Sequence, residues 1–445
     1  INIEGNQYVN DKVILSKLGI KKGKNVSVFD IENGISAIFG SNNFSKVTYE
    51  INKVNPLSNY ILTIRTYEKK PATIRGAFHY DNTFSAGIVL NVTLRNLPGK
   101  SSRTMFITDI SKNPKFRLDF LKYVGPAKRA GLNLRYEYLN QQIPNYQEGE
   151  INDIDISKEN NFYAGLITTQ SLKRSLYLGL SYQFNNQKSK FKKIVPEGIK
   201  NGAFNFARAD LIFQINTFND RNYPISGREL KMGGNIYFAN EYKIRYDKGI
   251  DTIYFPLSGD ENISLPLSEN QFNDLIVKPF TPETYVLAFF SYIEYFELAK
   301  RFQILPLVSL GVTLSKQEEA IFNNYRIGGY QRVRFSDNPF IGLNYTEVDY
   351  ENFLITGLYF QNILLKNIYL MYSANLLLPQ EHIPLDDLDS FNFSEMFENN
   401  SLLGYGLELT YKSFLGPISF GLNRNTRDPY FRYYLSIGYS FNFSD

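Results

Sequence analysis

The chain has 445 residues, with 48 Lys and Arg against 44 Asp and Glu, a net charge of +4, and neither cysteine nor tryptophan. That balance gives no electrostatic case for a nucleic-acid partner. The missing cysteine excludes disulfides, thiolate nucleophiles and zinc–thiolate sites, and suits an oxidising compartment. Mean hydropathy is −0.28, and no apolar run reaches the ~18 residues of a membrane helix. A membrane barrel need not look hydrophobic, however, because only alternate residues meet lipid. The chain opens INIEGNQ, without Met or a secretory leader, and is read as a mature or truncated piece.

Residues 1–71 mix two periods. INIEGN reads as a short strand. NDKVILSKLGI pairs an Asn/Asp start with apolar Val13, Ile14, Leu15 and Leu18, the pattern of a helix. VFDIENGISAIFGSN predicts a second helix burying Phe29, Ile31, Ile35, Ile38 and Phe39, with Gly40 near its stop. KVTYEINKV and NYILTIRTYEKK alternate as two strands about a turn at Asn55–Pro56–Leu57–Ser58. The order is strand, helix, helix, strand, strand.

From residue 72 to 445 the period is two. In SLYLGLSYQF, Leu176, Leu178, Leu180, Tyr182 and Phe184 oppose Tyr177, Gly179, Ser181 and Gln183. In AGLNLRYEYLN, Leu132, Leu134, Tyr136 and Tyr138 oppose Asn133, Arg135 and Glu137. About sixteen such strands are predicted, centred near residues 76, 89, 107, 119, 136, 166, 180, 211, 233, 288, 308, 357, 372, 407, 420 and 437. This predicts a mainly β chain: a 16-stranded antiparallel transmembrane barrel, apolar outward and polar inward, behind a small α+β domain. From about residue 124 short, often basic links alternate with long loops at 141–160, 185–203, 241–280, 316–350 and 379–401. Outer-membrane barrels place short turns in the periplasm and long loops outside.

Three stretches carry more. NNYRIGGYQRVRFSDNPFIGL contains Gly328, Gly329, Tyr330, Arg332, Val333, Arg334 and Phe335 in the loop after the eleventh strand. A guanidinium confined in a lumen needs a carboxylate. Glu408, inward by alternation on strand fourteen, is the expected partner, with Glu294 as the alternative. FNDRNYPISGRELKMGGNIYF holds Asp220, Pro224 and Gly227 in a tight turn, Pro fixing φ and Gly absorbing an awkward dihedral. SIGYSFNF, with Gly438, Phe441 and Phe443, ends the last strand in aromatics. That strand must close on the first, Thr73–Tyr80, and glycines Gly76 and Gly438 would weaken the seam between them.

These features together resemble the Omp85 superfamily. The N-terminal order resembles its periplasmic POTRA domain. Gly328–Gly329 followed by Val333–Arg334 resembles its Gly-Gly and Val-Arg-Gly-Phe/Tyr loop, although Phe335 stands where the family has glycine. Asp220, Pro224 and Gly227 resemble its Asp-x-x-x-Pro-x-x-Gly turn, and SIGYSFNF resembles a C-terminal barrel-insertion signal. The resemblance implies an outer-membrane location with the POTRA domain in the periplasm, and a loop folded into the lumen with its arginine on an acidic wall residue. A single POTRA domain resembles the patatin-type (type Vd) autotransporters, whose barrel exports or displays an upstream lipase passenger. The implied partners are outer-membrane lipid and lipopolysaccharide, the barrel-assembly machinery, a passenger in cis and a second copy of the chain. No cofactor or metal is implied, and any lipase would lie upstream of Ile1. An assembly factor and a fragment of a two-partner secretion transporter are the alternatives. A passive porin and a barrel-wall lipase using His79 rank below them, since G-x-S-x-G and H-E-x-x-H are absent.

Overall fold

The computed structural model describes residues 1–41, 43–54, 60–125, 130–147, 149–171, 174–190, 198–220, 223–249, 251–256, 264–279, 281–316, 324–334, 336–380, 383–384 and 401–439.

The N-terminal module runs β1 (Asn2–Glu4), α1 (Asp11–Leu18), α2 (Val28–Phe39), β2 (Phe44–Lys53) and β3 (Tyr60–Glu68). The sheet order is β1-β3-β2, with β1 parallel to β3 and β2 antiparallel to it. Local chemistry sets the helix ends. The Asn10 side chain accepts from the Lys12 amide, and Gly19 at φ 72° stops α1 in the left-handed region. Ser27 and Asp30 form a reciprocal capping box on α2. Ile14, Leu18, Ile38, Phe44 and Ile64 make the core. Two expected core residues differ: Phe29 is 71% exposed and Phe39 is 37% exposed, because α2 turns its Ile31–Gly34–Ile38 stripe to the sheet. The Lys17 ammonium lies 5.6 Å over the ring of Tyr123, which sets the module against the fourth barrel strand. The expected turn at 55–58 lies outside the described residues.

Sixteen long strands close the barrel. In chain order they are Ala72–Asp81, Ser85–Arg95, Ser102–Ser111, Lys115–Val124, Ala130–Gln147, Glu150–Ser171, Arg174–Ser189, Ile199–Asn216, Gly227–Tyr246, Tyr285–Ala299, Phe302–Ser315, Asn352–Leu365, Ile368–Gln380, Leu402–Ser413, Gly416–Asn425 and Arg432–Gly438. They are called the first to the sixteenth barrel strand below. Every expected centre falls within its strand. The wall is inside-out relative to a soluble sheet: Leu176, Leu178 and Leu180 are 41%, 55% and 60% exposed, while Asn133, Ser181 and Asp210 are buried. Inward charges pair across strands, Arg117 with Glu137 at 2.9 Å and Arg135 with Asp119 at 3.1 Å.

Two expectations are corrected, and the seam is described in part. The segment 141–160 is not a loop: the fifth and sixth strands continue as a hairpin to residues 147 and 150. The link carrying Asp220 and Pro224 is not a tight turn but ten residues, 217–226, between Asn216 and Gly227. At the seam, the described pairing of the sixteenth strand with the first covers three positions: Ser436 with Asp81, Ile437 with Tyr80, and Gly438 with His79. Gly76 pairs with Leu90 on the second strand and lies outside that described seam pairing. Gly438 sits at φ 82°, and a Cβ there would lie 1.9 Å from the Phe78 carbonyl oxygen, so glycine is required for the close approach. Phe441 and Phe443 lie outside the described residues.

Candidate functional site

The segment between the eleventh and twelfth strands folds back as a plug. Tyr325–Ile327 pairs in parallel with Asp337–Asn338 and antiparallel with Val348–Tyr350. Tyr325, Ile327, Phe340 and Leu343 are fully or nearly buried, packed with wall residues Phe204, Tyr237, Tyr285 and Leu287. Gly328 and Gly329 make the fold-back possible. Their φ values are 137° and 72°, and a Cβ on Gly328 would stand 2.0 Å from the Asn344 carbonyl oxygen. Gly329 donates to the Leu343 carbonyl at 3.0 Å and accepts from the Phe340 amide at 3.0 Å.

The arginine tip is fixed by Asp337. Its Oδ2 accepts the amides of Val333 and Arg334 at 3.1 and 2.8 Å and the Tyr345 hydroxyl at 2.7 Å. Gln141 on the fifth strand donates to that same tyrosine at 3.0 Å. Arg332 donates to Asn338 at 3.1 Å. With the backbone held so, Arg334 reaches Glu159 on the sixth strand: Nε donates to Oε1 at 2.7 Å, and Nη2 donates to the same oxygen. Glu159 also accepts the Ser157 hydroxyl at 3.0 Å. Neither expected partner is used. Glu408 accepts from Thr410 at 3.0 Å, and Glu294 accepts from the Tyr292 hydroxyl. The reason is geometric: the plug leans its arginine towards the long hairpin side, whereas Glu408 and Glu294 stand on the fourteenth and tenth strands. Phe335 lies outside the described residues.

The other side of the plug grips the seam. Tyr330 stacks on Tyr434 with centroids 4.2 Å apart and planes 10° from parallel. Its hydroxyl accepts from Asn423 at 3.1 Å. Gln331 donates to the Tyr434 hydroxyl at 2.7 Å and to Asp81 at 3.4 Å, touching the last strand and the first. Glu347, 1% exposed at its side chain, binds Arg432 at 2.9 Å and Arg427 at 2.8 Å. Glu159, Glu347 and Tyr434 have no local sequence signal for these roles, because each acts through a partner distant along the chain.

The link 217–226 braces the opposite end. Asp220 accepts the Tyr223 amide at 3.1 Å and the Lys412 ammonium at 2.8 Å. The Pro224 carbonyl accepts from Gln361 at 3.1 Å, and Tyr223 stacks on Tyr369 with centroids 5.1 Å apart. The link thus spans from the eighth and ninth strands to the twelfth, thirteenth and fourteenth. Gly227 at φ 101° closes it; a Cβ there would meet the Thr217 carbonyl oxygen at 2.4 Å. His79 is buried, with Nε2 3.1 Å from Asp109. Gly87 leaves the gap it reaches through, since a Cβ there would be 2.4 Å from Nε2. The ring's described partner is a carboxylate, not a serine.

The model of the OMP85 superfamily matches residues 60–441. The chain belongs to the OMP85 superfamily. No curated protein matches the sequence. Among solved structures this OMP85 chain is similar to BamA from Haemophilus ducreyi lacking POTRA domains 1–3, at 14% identity and a TM-score of 0.60, covering 98% of this chain and 83% of that one. It is also similar to CdiB from Acinetobacter baumannii (10% identity, TM-score 0.56, covering 98% and 72%) and to CdiB from Escherichia coli (12%, 0.57, covering 98% and 75%). At these identities the likeness establishes the OMP85 barrel fold.

Proposed function

We propose that this chain is the outer-membrane translocator and anchor of a type V secretion system, exporting or displaying a passenger that precedes it, a patatin-like lipase of the type Vd class. The barrel spans the outer membrane, and residues 1–71 form one POTRA domain in the periplasm. The observation that carries the reading is the combination of one βααββ module with a closed, plugged sixteen-stranded barrel. The likeness to a BamA chain lacking POTRA domains 1–3, which covers 98% of this chain and so takes in the N-terminal module, supports the POTRA assignment. Export proceeds at the seam, where three described register pairs hold the first and last strands and the plug grips the last strand from within. The likeness to BamA and CdiB favours the second reading, an assembly factor or a two-partner transporter.

The test is the intact mass and N-terminal sequence of the protein in the native outer membrane. A mass well above 51.4 kDa with an upstream serine-hydrolase segment supports the autotransporter. Further POTRA modules before Ile1 would replace it with the second reading.

A further inference from the structure

The outer wall of the fifth to ninth strands changes character in rows, and register gives each row. One row is Leu134, Ala164, Leu180, Ala209 and Ile236. The next towards the long-loop end is Tyr136, Phe162, Tyr182, Ala207 and Phe238. With alanines between the aromatics, these rows form an apolar groove. Tyr136 and Phe162 continue into an aromatic ladder, with centroids 4.9 Å apart. Two rows further, the cations begin. Lys158 and Lys243 share a row with Asn186 and Ala203. Lys188 and Arg245 lie one row beyond, and Lys200 stands at the adjacent bulge of the eighth strand. All five are exposed and line one depression of about 750 Å³.

The chemistry of this depression is lopsided. No carboxylate is among the described residues that line it; Glu241, at its edge, pairs with Lys243 at 2.6 Å. Asp155 and Glu159, close in sequence, point inward by strand alternation. Lys158, Lys188, Lys200 and Arg245 have no acidic partner among the described residues. Like charges held this close repel one another unless something anionic sits among them. Lys158 and Lys243 are three inter-strand steps apart, about 14 Å, the reach of a ligand carrying more than one anionic group. Cations directly above an aromatic belt, on the long-loop side, meet the headgroup layer of the leaflet that the loops face.

The geometry points to a binding site for a phosphorylated glycolipid of the outer leaflet, its phosphates on Lys158, Lys188, Lys243 and Arg245 and an acyl chain in the groove beside Phe162, Tyr182 and Ala207. This rests on the membrane orientation proposed above. The Lys243 ammonium leaves Glu241 for the phosphate or donates to both. The site fixes the rotational setting of the barrel against the lipid, on the wall opposite the seam.

The test uses the full chain purified in detergent, with bis-phosphorylated lipid A as probe and its dephosphorylated form and phosphatidylglycerol as controls, read by native mass spectrometry. Co-purified lipid A on the wild type, and loss of roughly 1,000-fold in affinity in the Lys158→Gln/Lys188→Gln/Lys243→Gln/Arg245→Gln variant, support the site. A matching set of Lys→Arg changes should retain binding, which separates lost charge from a misfolded barrel. Equal binding of dephosphorylated lipid A, or unchanged binding in the Gln variant, overturns it. Fractionation of the same cells separates the two claims. A chain absent from the outer membrane refutes the orientation, whereas a chain present there without lipid A refutes the site alone.

Discussion

Replacing Glu159 by Gln removes the counter-charge of Arg334 while leaving the shape of the wall. Both side chains are largely enclosed, at 13% and 14% exposure. Removing one member of such a pair strands the other charge, a loss of about 3–5 kcal/mol. The low end shifts the ratio of seated to released plug by roughly 100-fold. The backbone around Arg334 should survive, since Asp337 holds it through amides rather than through the guanidinium. The loss should therefore appear as plug release, not barrel unfolding. In planar bilayers, Glu159→Gln should raise the frequency of large open-channel events and expose residues 324–351 to protease, while heat-modified gel mobility still reports a folded barrel. Arg334→Gln should do the same, and the two together should cost less than their sum, because neither charge is then left alone. Glu408→Gln is the control, since its partner is Thr410. A Glu408→Gln variant that releases the plug while Glu159→Gln does not would refute the reasoning.

Gly438→Val places a Cβ within 1.9 Å of the Phe78 carbonyl, so it should lower the fraction of closed barrel recovered on refolding, read by gel mobility. Gly87→Ala should separate His79 from Asp109, because its Cβ falls 2.6 Å from the Asp109 carboxylate; it should cost about 1–3 kcal/mol in thermal or denaturant unfolding, and no loss would refute the contact. At Asp30, the Ser27 hydroxyl and backbone amide hold the carboxyl below its usual range. Its contribution to α2 is therefore complete above the unfolded value and lost as pH falls through the folded one. Protection of the amides in the first turn of α2, taken relative to their intrinsic exchange rates, should fall at acid pH in the wild type and show no such step in Asp30→Asn.

The strands were legible because one face of each carries an unbroken apolar series, as at Leu176 to Phe184, and a one-residue slip would turn that series inward. The hairpin at 141–160 was not, for a physical reason. Above the apolar band both faces are polar, so Lys158, Glu159 and Asn160 follow one another with no alternation to read. That stretch holds Glu159, so the partner of Arg334 was hidden twice: by a strand that reads as loop, and by a contact spanning 175 residues. The glycines Gly328 and Gly329 were picked out by their resemblance to a family motif, and the structure supplies the reason, φ values above zero that leave few residue choices. The seam contacts of Tyr330 and Gln331 were not readable, since stacking and amide bonds across the lumen leave no pattern along the chain. Phe29 misled by composition: an aromatic at helical spacing was assigned to the core, yet it sits beside the buried stripe of α2.

Locking the seam tests export through it most directly. The chain has no cysteine, so Tyr80→Cys with Ile437→Cys, which face one another across the seam, introduces a single possible disulfide. Surface display of the passenger proposed above would be followed with the pair oxidised and then reduced. Export that stops on oxidation and returns on reduction is the predicted result. Undiminished export through an oxidised, fully cross-linked seam would contradict it.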